Sequence, residues 1–299
     1  MRTVAVYNMK GGVGKTTAAV NLSYLAAASG RRTLLWDLDP QAASSFAFRV
    51  RPAVSGFGKR SLEDGQTLAA AIKATDFHDL DLLPADFAYR KIERFLVPHH
   101  KPARVIGSLL DTLGQDYDLV FLDCPAGCSL LTEGVLAAAD TILVPTIPTV
   151  LSLRMVARVI KWADRSDAHA TLAAFFSMID RRKAMHRRAS EWSAEHRRGF
   201  LNGQVPYASV VEQMAVRRLP LAEFAPSDAA TRVFAGIWAE VQKGLDQDGV
   251  CGPEQSERRL RMLQAVKSLI AHLESAELRG AAGAHLRTNH RCLGGPDSH

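Results

Sequence analysis

Long hydrophobic runs and metal-spaced cysteines are both missing from this sequence of 299 residues. No apolar stretch reaches the roughly 18 to 20 residues that a membrane-spanning helix needs. The first residues predict a strand rather than a signal peptide. The four cysteines, Cys124, Cys128, Cys251 and Cys292, have the spacing of neither a zinc site nor a redox pair. We therefore expect a cytoplasmic protein with reduced thiols.

Basic residues outnumber acidic ones, with 37 Lys and Arg against 31 Asp and Glu, a net charge of +6 and a pI of about 9.3. This surplus fits an anionic polymer as partner without establishing one. The apolar share of 47% gives ample material for a core. At this length the chain can hold one large α/β domain with an appendage, or two small domains.

The stretch VAVYNMKGGVGKTT, from Val4 to Thr17, organises the rest of the sequence. It predicts a short strand, Thr3 to Tyr7, then a glycine-rich loop and a helix that opens at Lys15 or Thr16. Such a loop turns backbone N–H groups toward a polyphosphate, and the helix N-terminus adds about half a positive charge. Lys15 would reach the β- and γ-phosphates, and the Thr16 hydroxyl would bind Mg²⁺. The predicted phosphate-binding residues are Lys10, Gly11, Gly12, Val13, Gly14, Lys15, Thr16 and Thr17.

The common P-loop pattern G-x-x-x-x-G-K-[ST] fails at Met9, which replaces its first glycine, and a second lysine, Lys10, follows directly. The sequence K-G-G-V-G-K-T-T resembles the deviant Walker A motif of the ParA/MinD family of ATPases, in its ParA (Soj-like) partitioning branch. The resemblance implies an ATP-bound dimer in which Lys10 reaches the phosphates of the opposite subunit. It also implies catalytic roles for Lys10, Lys15 and Asp39.

A second predicted strand, Arg32 to Asp37, ends in the sequence D-L-D-P-Q and is parallel to the first. Asp37 and Asp39 therefore lie at the carboxyl edge of the sheet, where ligands bind in open α/β folds. The segment resembles the family motif D-x-D-P-Q. The resemblance implies that Asp39 orients the attacking water and that Asp37 supports the Mg²⁺ shell. Asp39 before Pro40 is also a good helix N-cap, and both roles can hold.

The apolar run from Tyr117 to Asp123 has the form of a Walker B strand. Buried on both faces, it would deliver Asp123 to the Mg²⁺ site. The sequence D-C-P-A-G resembles the family segment D-C-P-P, with Ala126 in place of the second proline. The alternative is that Asp123 only caps the following helix. The predicted Mg²⁺ ligands are thus Thr16, Asp37 and Asp123.

Alternating strand and helix patterns predict a doubly wound α/β P-loop fold with a mostly parallel sheet, helices on both faces and a C-terminal helical extension. Further strands are predicted at 80–83, 141–144, 172–178 and 203–207, and helices at 103–113, 130–139, 151–162 and 229–245. We expect an ATPase domain over residues 1–247, a linker with an amphipathic helix over 248–279, and a disordered tail over 280–299.

Two later segments carry the remaining site predictions. In the family, the segments equivalent to 177–180 and 205–207 wall the adenine, which implies Asp180 and Pro206 here. Residues 181–198 carry seven Lys and Arg against two Glu, where the resemblance implies a surface for non-specific DNA. The alternative is a solvated helix face. The predicted DNA-binding residues are Arg181, Arg182, Arg187, Arg188, Arg217 and Arg218.

Residues 257–278 place Leu260, Leu263, Val266, Ile270 and Leu273 at helical spacing, with basic residues between them. A helix that docks on the ATPase domain or on a partner is the simpler interpretation. The alternative is a membrane-surface helix, as in the MinD branch. The MinD-type anchor lies at the extreme C-terminus, whereas about twenty residues follow this helix, so we expect no membrane binding.

The resemblance as a whole implies an ATP- and Mg²⁺-dependent ATPase that dimerises with ATP and binds double-stranded DNA without sequence preference. It would be nucleoid-associated and would position a cargo: a plasmid, a chromosome or a protein assembly. An unidentified partner protein would stimulate its slow hydrolysis. Three alternatives stay open: a membrane-cycling ATPase of MinD type, an amide-forming synthase of the cobyrinic acid type, and an ATP-gated scaffold without hydrolysis. The synthase would need an additional domain, for which no sequence remains.

Overall fold

Eight strands form one sheet within the part of the chain that the structure describes. This computed structural model describes residues 1–51, 69–85, 96, 102–114, 116–166, 168–196, 199–247 and 253–292, with side chains as far as residue 277. The strands are β1 (Arg2–Val6), β2 (Thr33–Asp37), β3 (Lys73–Ala74), β4 (Leu80–Leu83), β5 (Leu119–Asp123), β6 (Thr141–Thr146), β7 (Thr171–Ile179) and β8 (Phe200–Pro206). Their order is β3-β4-β2-β5-β1-β6-β7-β8, and neighbours are parallel except β3 and β4.

Helices cover both faces of this sheet. In chain order the described ones are α1 (Lys15–Ala28), α2 (Ala43–Ala47), α3 (Pro102–Leu113), α4 (Leu130–Ala138), α5 (Val150–Arg165), α6 (Ala184–His196), α7 (Ser209–Arg217), α8 (Leu221–Phe224), α9 (Ala229–Asp246) and α10 (Pro253–Cys292). The predicted fold class, a doubly wound and mostly parallel sheet with a C-terminal helical extension, is therefore confirmed.

Strand alternation divides the core into two layers. In β1, Ala5 packs into the layer formed with α3 to α6 and α10, whereas Val4 and Val6 pack into the layer formed with α1 and α9. All three residues are fully buried. Successive side chains of a strand point to opposite faces, so a central strand covered by helices on both sides must be apolar at every position.

The C-terminal helix α10 packs along α5 and α6. Its seam consists of Met262, Val266, Leu269 and Leu273, each buried in the same core layer as α5. Leu260 was predicted on this stripe, but it is 54% exposed. Met262 and Leu269, which were not part of the predicted stripe, are buried instead of Leu260.

Helix α10 extends from Pro253 to Cys292, into the predicted tail, and residues 293–299 lie outside the described residues. The predicted disorder of 280–299 stays a prediction. The proposed boundary of the ATPase domain at residue 247 stays a prediction.

Candidate functional site at the carboxyl edge of the sheet

Asn8 fixes the start of the glycine-rich loop between β1 and α1. Its side-chain amide donates to the carbonyl oxygen of Pro145 at 2.8 Å, and its Oδ1 accepts from the backbone N–H of Lys10 at 2.9 Å. At the other end of the loop, Gly14 has a φ of 87°, a region that side chains rarely adopt. A Cβ on Gly14 would also lie 2.9 Å from Ser177 Oγ. Both constraints require glycine at this position.

Helix α1 presents its N-terminus to the loop. Gly14 is its N-cap and supplies no side-chain hydrogen bond, and the first turn carries no acidic residue. The first N–H groups of a helix have no partner within the helix, so such an end favours an anion. Lys15 is the first helical residue and is only 8% exposed. The loop therefore joins open backbone donors to a nearly buried cation.

The ammonium of Lys15 lies above its own loop. Its Nζ donates to the carbonyl oxygen of Lys10 at 3.4 Å. Burial lowers the pKa of Lys15, while the charges of Asp123 and Asp39 act in the opposite direction. An anion nearby would stabilise the charged form of Lys15, because a phosphate would replace the hydration that burial has removed.

Asp123 is a buried carboxylate with an unused oxygen. Its Oδ2 accepts from Ser44 Oγ at 2.7 Å, and its Oδ1 has no hydrogen-bond partner among the described residues. Burial and the neighbouring charge of Asp37 raise the pKa of Asp123 to about 7, while the nearby hydroxyls of Ser44 and Thr16 act in the opposite direction. An unpartnered buried carboxylate oxygen beside a hydroxyl is the oxygen donor set that Mg²⁺ prefers. Thr16 and Asp123 therefore fit the predicted cation.

Asp37 is engaged differently. Its Oδ2 accepts from both the backbone N–H and the hydroxyl of Ser45, each at 2.8 Å, and its Oδ1 accepts from the backbone N–H of Asp39 at 3.2 Å. Burial, opposed by these hydrogen bonds, raises its pKa to about 6. With both oxygens used in this way, Asp37 fastens the segment that follows β2. Its predicted part in the Mg²⁺ shell stays a prediction.

Asp39 lies in a turn rather than at a helix start. Its Oδ1 accepts from the backbone N–H of Gln41 at 3.0 Å, and its carbonyl oxygen accepts from the N–H of Ala42 at 2.8 Å. Helix α2 begins only at Ala43, with Ala42 as its N-cap. The N-cap interpretation of Asp39 is therefore wrong, because the chain first makes a tight turn after Pro40. The carboxylate lies close enough to Lys15 to influence its pKa.

Strand register brings these groups together. Asp123 pairs with Asp37 across β5 and β2, and with Val6, the last residue of β1, across β5 and β1. Parallel strands end at the same edge of a sheet, so the loop and both carboxylates meet there. The register thus accounts for the effect of the Asp37 charge on the pKa of Asp123.

The side chain of Lys10 makes no hydrogen bond to the site of its own chain within the described residues. The residue is partly exposed, and only its backbone groups make the hydrogen bonds described above. Within the described residues its ammonium has no ion-pair partner. Such a lysine is available to a group outside this chain, which is compatible with the predicted reach across a dimer. That reach stays a prediction.

The two predicted adenine residues have different surroundings. Pro206 lines a cavity of about 60 Å³ together with Gly14 and Ser177, directly behind the glycine-rich loop. Asp180 is held by Arg182 in a two-point ion pair of 2.9 and 3.0 Å. This hydrogen-bonded guanidinium lowers the pKa of Asp180 to about 2. Asp180 therefore has a structural partner of its own, and Pro206 is the one next to the loop.

The six predicted DNA-binding arginines fall into two groups. One lies on the α6 side of the sheet, where Arg188 pairs with Glu277 of α10 at 3.8 Å. The other lies beside α2 and α8, where Arg218 stacks on Phe46 at 4.4 Å and Arg217 on Phe224 at 4.9 Å. The helices that carry the two groups pack against different core layers, α6 on one and α7 with α8 on the other.

Sequence reasoning missed the residues that orient the carboxylates. Ser44 and Ser45 bind Asp123 and Asp37, and the Ser45 hydroxyl also accepts from the N–H of Ala85 after β4. His186 accepts from the N–H of Asp180 through Nδ1, which fixes the start of the β7–α6 connection. Serines that follow a D-x-D-P-Q segment carry no spacing signal of their own, so only the fold identifies them.

Comparison with known proteins agrees with this geometry. A family profile described as an AAA domain matches residues 1–171, more than half of the chain. The chain belongs to this family, and within it to the ParA/MinD group of P-loop ATPases.

Two curated relatives illustrate the match. The sporulation initiation inhibitor protein Soj of Bacillus subtilis is 36% identical over 145 residues, covering 48% of this chain and 57% of that protein. The chromosome partitioning protein ParA of Myxococcus xanthus is 34% identical over 145 residues, covering 48% of this chain and 51% of that protein. The chain thus spans about half the length of the curated relatives it matches.

Solved structures extend the likeness to most of the fold. The McdA–ATP complex from Cyanothece has a TM-score of 0.69 at 18% identity, covering 81% of this chain and 96% of that one. Cobyrinic acid a,c-diamide synthase from Mycobacterium smegmatis, with a bound ATP analogue and magnesium, has a TM-score of 0.69 at 25% identity, covering 85% and 98%. Within the described residues, no helix combines the length and apolarity that crossing a bilayer requires.

Proposed function

We propose that this chain is an ATP-hydrolysing switch that dimerises when MgATP is bound, binds DNA without sequence preference and positions a cargo. One observation carries the nucleotide part: the unpartnered oxygen of buried Asp123 lies beside Thr16 at the open N-terminus of α1. A buried carboxylate without a partner is costly unless a ligand completes it. MgATP supplies both the cation and the phosphates that such an edge lacks.

Each group at the edge has a role that follows from its surroundings. Backbone N–H groups of the loop and of α1 would hold the β-phosphate, and Lys15 would donate to the phosphoryl oxygens. Thr16 and Asp123 would hold Mg²⁺, which supplies neutralisation of phosphate charge when bound. Asp39 would accept a hydrogen bond from the attacking water and keep it in line. Lys10 of the opposite subunit would add positive charge as the phosphoryl group is transferred.

Two variants test the dimer switch. In Asp39→Ala, ATP should bind but not turn over, and the protein should be trapped as a dimer in light scattering with ATP. Lys10→Ala should bind ATP with nearly wild-type affinity but stay monomeric and inactive. If Lys10→Ala dimerises and hydrolyses ATP like the wild type, the proposed switch between subunits is wrong, although nucleotide binding could still be correct.

DNA binding is proposed from exposed arginines on both sides of the sheet. Arg181 and Arg187 are exposed on the α6 side, and Arg217 is exposed beside α8. Each group alone offers few phosphate contacts, which gives weak and salt-sensitive binding. A dimer carries each arginine group twice, so its affinity for DNA rises because the second group binds at a high effective concentration. Nucleotide state would in this way control residence on the nucleoid.

Charge reversal separates the two arginine groups. Arg181→Glu/Arg187→Glu and Arg217→Glu/Arg218→Glu should each weaken duplex retention of the ATP-trapped dimer at least tenfold and reduce its salt dependence. Arg104→Glu/Lys243→Glu, at exposed positions outside both groups, is the matched control and should retain DNA. Equal loss in all three double variants would mean that net charge, not a defined surface, holds the DNA.

A membrane-cycling role is disfavoured by the packing of α10. The apolar face that would enter a bilayer includes Val266 and Leu273, and both are fully buried against the ATPase fold. Flotation with anionic vesicles measures this directly: we expect the ATP-bound protein to stay unbound. Co-flotation that requires ATP would favour the membrane alternative over DNA.

The synthase alternative has its own support, because the cobyrinic acid synthase fold matches this one as closely as the McdA fold does. The two proposals differ in what turnover requires. An ATPase switch should release phosphate with water alone and faster with DNA and an activating partner protein. A synthase should turn ATP over only when an acid and an amide-nitrogen donor are both present.

A further inference from the structure

A second concave site lies far from the nucleotide edge. A cavity of about 550 Å³ opens at the amino ends of β7 and β8, where α10 begins. The glycine-rich loop and Pro206 lie at the carboxyl ends of the same strands. The two sites are therefore separated by the length of the sheet, and none of the nucleotide-site residues described above lines this cavity.

One part of the wall of this cavity is apolar. Leu172 of β7, Phe200 and Leu201 of β8, and Met262 of α10 form this part, while Thr171 and Gln255 add polar groups. Phe200 is 6% exposed and Met262 is 2% exposed, so these walls are parts of the core rather than loose surface groups. A volume of this size falls within the range of small-molecule sites, which are mostly apolar with a few polar groups that orient the ligand.

The rim is cationic. Arg258 and Arg261 line the cavity from the first turns of α10 and are both exposed. Arg261 pairs with Glu257 at 3.5 Å, but this pair lies in water and contributes little. Among the described lining residues there is no carboxylate. The rim thus attracts anions while the floor excludes water.

Arg259 holds the rim in place. It is 6% exposed, and its guanidinium donates to the carbonyl oxygens of Ala163 and Ala170, each at 2.9 Å, and of Ala168. These carbonyls belong to the end of α5 and to the segment before β7. Because Arg259 is anchored between the two rim arginines in sequence, the backbone that carries them has a fixed position on the domain.

We propose that this cavity binds a small amphipathic anion: an acyl or aryl body with one carboxylate, sulfonate or phosphate head. The body would lie against Leu172, Leu201 and Met262, and the head would pair with Arg258 and Arg261. Guanidinium groups bind such heads through two parallel hydrogen bonds, which favours a planar or tetrahedral oxyanion over a neutral head. The proposal does not depend on ATP hydrolysis or on DNA binding.

Isothermal titration of the full-length protein with sodium decanoate tests the ligand class. We expect one site per chain and an affinity in the micromolar range, a similar result with decyl phosphate, and no binding of decyltrimethylammonium. Equal binding of the cationic amphiphile, or many weak sites per chain, would overturn the proposal. Binding to phosphatidylglycerol vesicles without binding to monomeric decanoate would also overturn it, because a surface would then be the ligand.

Variants locate the site. Arg258→Gln/Arg261→Gln should weaken decanoate binding at least tenfold, and Leu172→Trp should abolish it by filling the cavity. Arg165→Gln/Lys267→Gln, which removes two exposed charges outside the cavity, is the matched control and should bind like the wild type. Thermal unfolding confirms that each variant is folded. Unchanged binding in the Arg258→Gln/Arg261→Gln variant would place the ligand elsewhere and refute the assignment.

Discussion

Asp123 and Arg259 are both charged and buried, and the chain surrounds them in opposite ways. Arg259, at 6% exposure, donates to three carbonyl oxygens that join α10 to α5 and β7. Asp123, fully buried at the nucleotide edge, has one oxygen with a hydroxyl donor and one oxygen with no partner among the described residues. Three hydrogen bonds from the terminal groups of a buried guanidinium fasten a structure, whereas an unpartnered carboxylate oxygen costs stability until a ligand binds it.

The region around Arg259 therefore contributes to stability, and the region around Asp123 contributes to the chemistry of the site. Around Arg259, apolar residues of α10 complete a core layer, and the burial of their apolar surface stabilises the folded chain. Around Asp123, two carboxylates and a lysine share a buried edge, which raises or lowers their pKa values. Perturbed groups of this kind concentrate at functional sites. Mutations in the two regions should accordingly have different effects, and this difference can be tested.

The largest effect is expected for Lys15→Ala. Loss of the ammonium should lower ATP turnover on the order of 10³-fold, because the charge that develops on the phosphoryl oxygens loses its stabilisation. The free energy of unfolding should change by less than about 1 kcal/mol, since a partly desolvated cation is removed. Phosphate release and thermal unfolding are the two measurements. Turnover within tenfold of the wild type would contradict the role given to Lys15.

A comparison of Leu273→Asp with Leu260→Asp sharpens the position of α10. Leu273 is fully buried and Leu260 is 54% exposed, although both were predicted on one apolar stripe. Leu273→Asp should lower the free energy of unfolding by about 3–4 kcal/mol, because it buries a carboxylate in an apolar layer. Leu260→Asp should change it by less than about 0.5 kcal/mol. Similar losses in urea unfolding would mean that α10 is rotated from the described seam.

A comparison of Arg259→Ala with Arg258→Ala distinguishes the effect of the buried arginine from that of its exposed neighbour. Removal of the guanidinium takes one donor away from each of three carbonyl oxygens, which should cost about 2–3 kcal/mol. The midpoint of thermal unfolding should fall by roughly 5–10 °C. Arg258→Ala, one residue away and exposed, is the control and should shift it by less than about 2 °C. ATP turnover should stay within about twofold in both variants; a large loss in Arg259→Ala at a temperature where it is folded would contradict the division.

The last comparison concerns pH. Folding raises the pKa of Asp37 to about 6 and of Asp123 to about 7, from an ordinary 3.8. Between pH 4 and 7 the folded state therefore binds more protons than the unfolded state, so the free energy of unfolding should fall as pH rises through this window. In EDTA, without nucleotide, the wild type should unfold at lower temperature at pH 7.5 than at pH 5. Asp123→Asn should make this fall shallower, and an equal slope would show that Asp123 does not titrate there.

The sequence pattern predicted the architecture well because the central strands leave little ambiguity. A run such as LVFLD, buried on both faces, cannot be placed at a solvated edge without exposing Val120 or Phe121. The glycine-rich loop fixes the order of strand, loop and helix. Strand Leu80–Leu83 and helix Leu130–Ala138 accordingly lie within one residue of their predicted bounds.

Features that depend on tertiary packing escaped prediction. Leu260 was predicted on the buried stripe of α10 because Leu260 and Met262 are equally acceptable in a hydrophobic pattern, and only packing against the rest of the fold distinguishes them. The turn after Asp39 could not be predicted from the sequence because Asp-Pro is compatible with both a helix start and a turn. The serines that bind the two carboxylates come from α2, and a hydroxyl carries no periodic signal.

Ser45 joins three parts of the chain with one side chain: its hydroxyl donates to Asp37 on β2 and accepts from Ala85 beyond β4, while its own position is in α2. The segment that carries Asp39 is thereby preorganised when the chain folds. The conformational entropy of this segment is lost when the chain folds and is not lost again each time a nucleotide binds. In the mechanism that we propose, the carboxylate of Asp39 is therefore already in place before the second subunit arrives, and dimerisation sets the rate of hydrolysis.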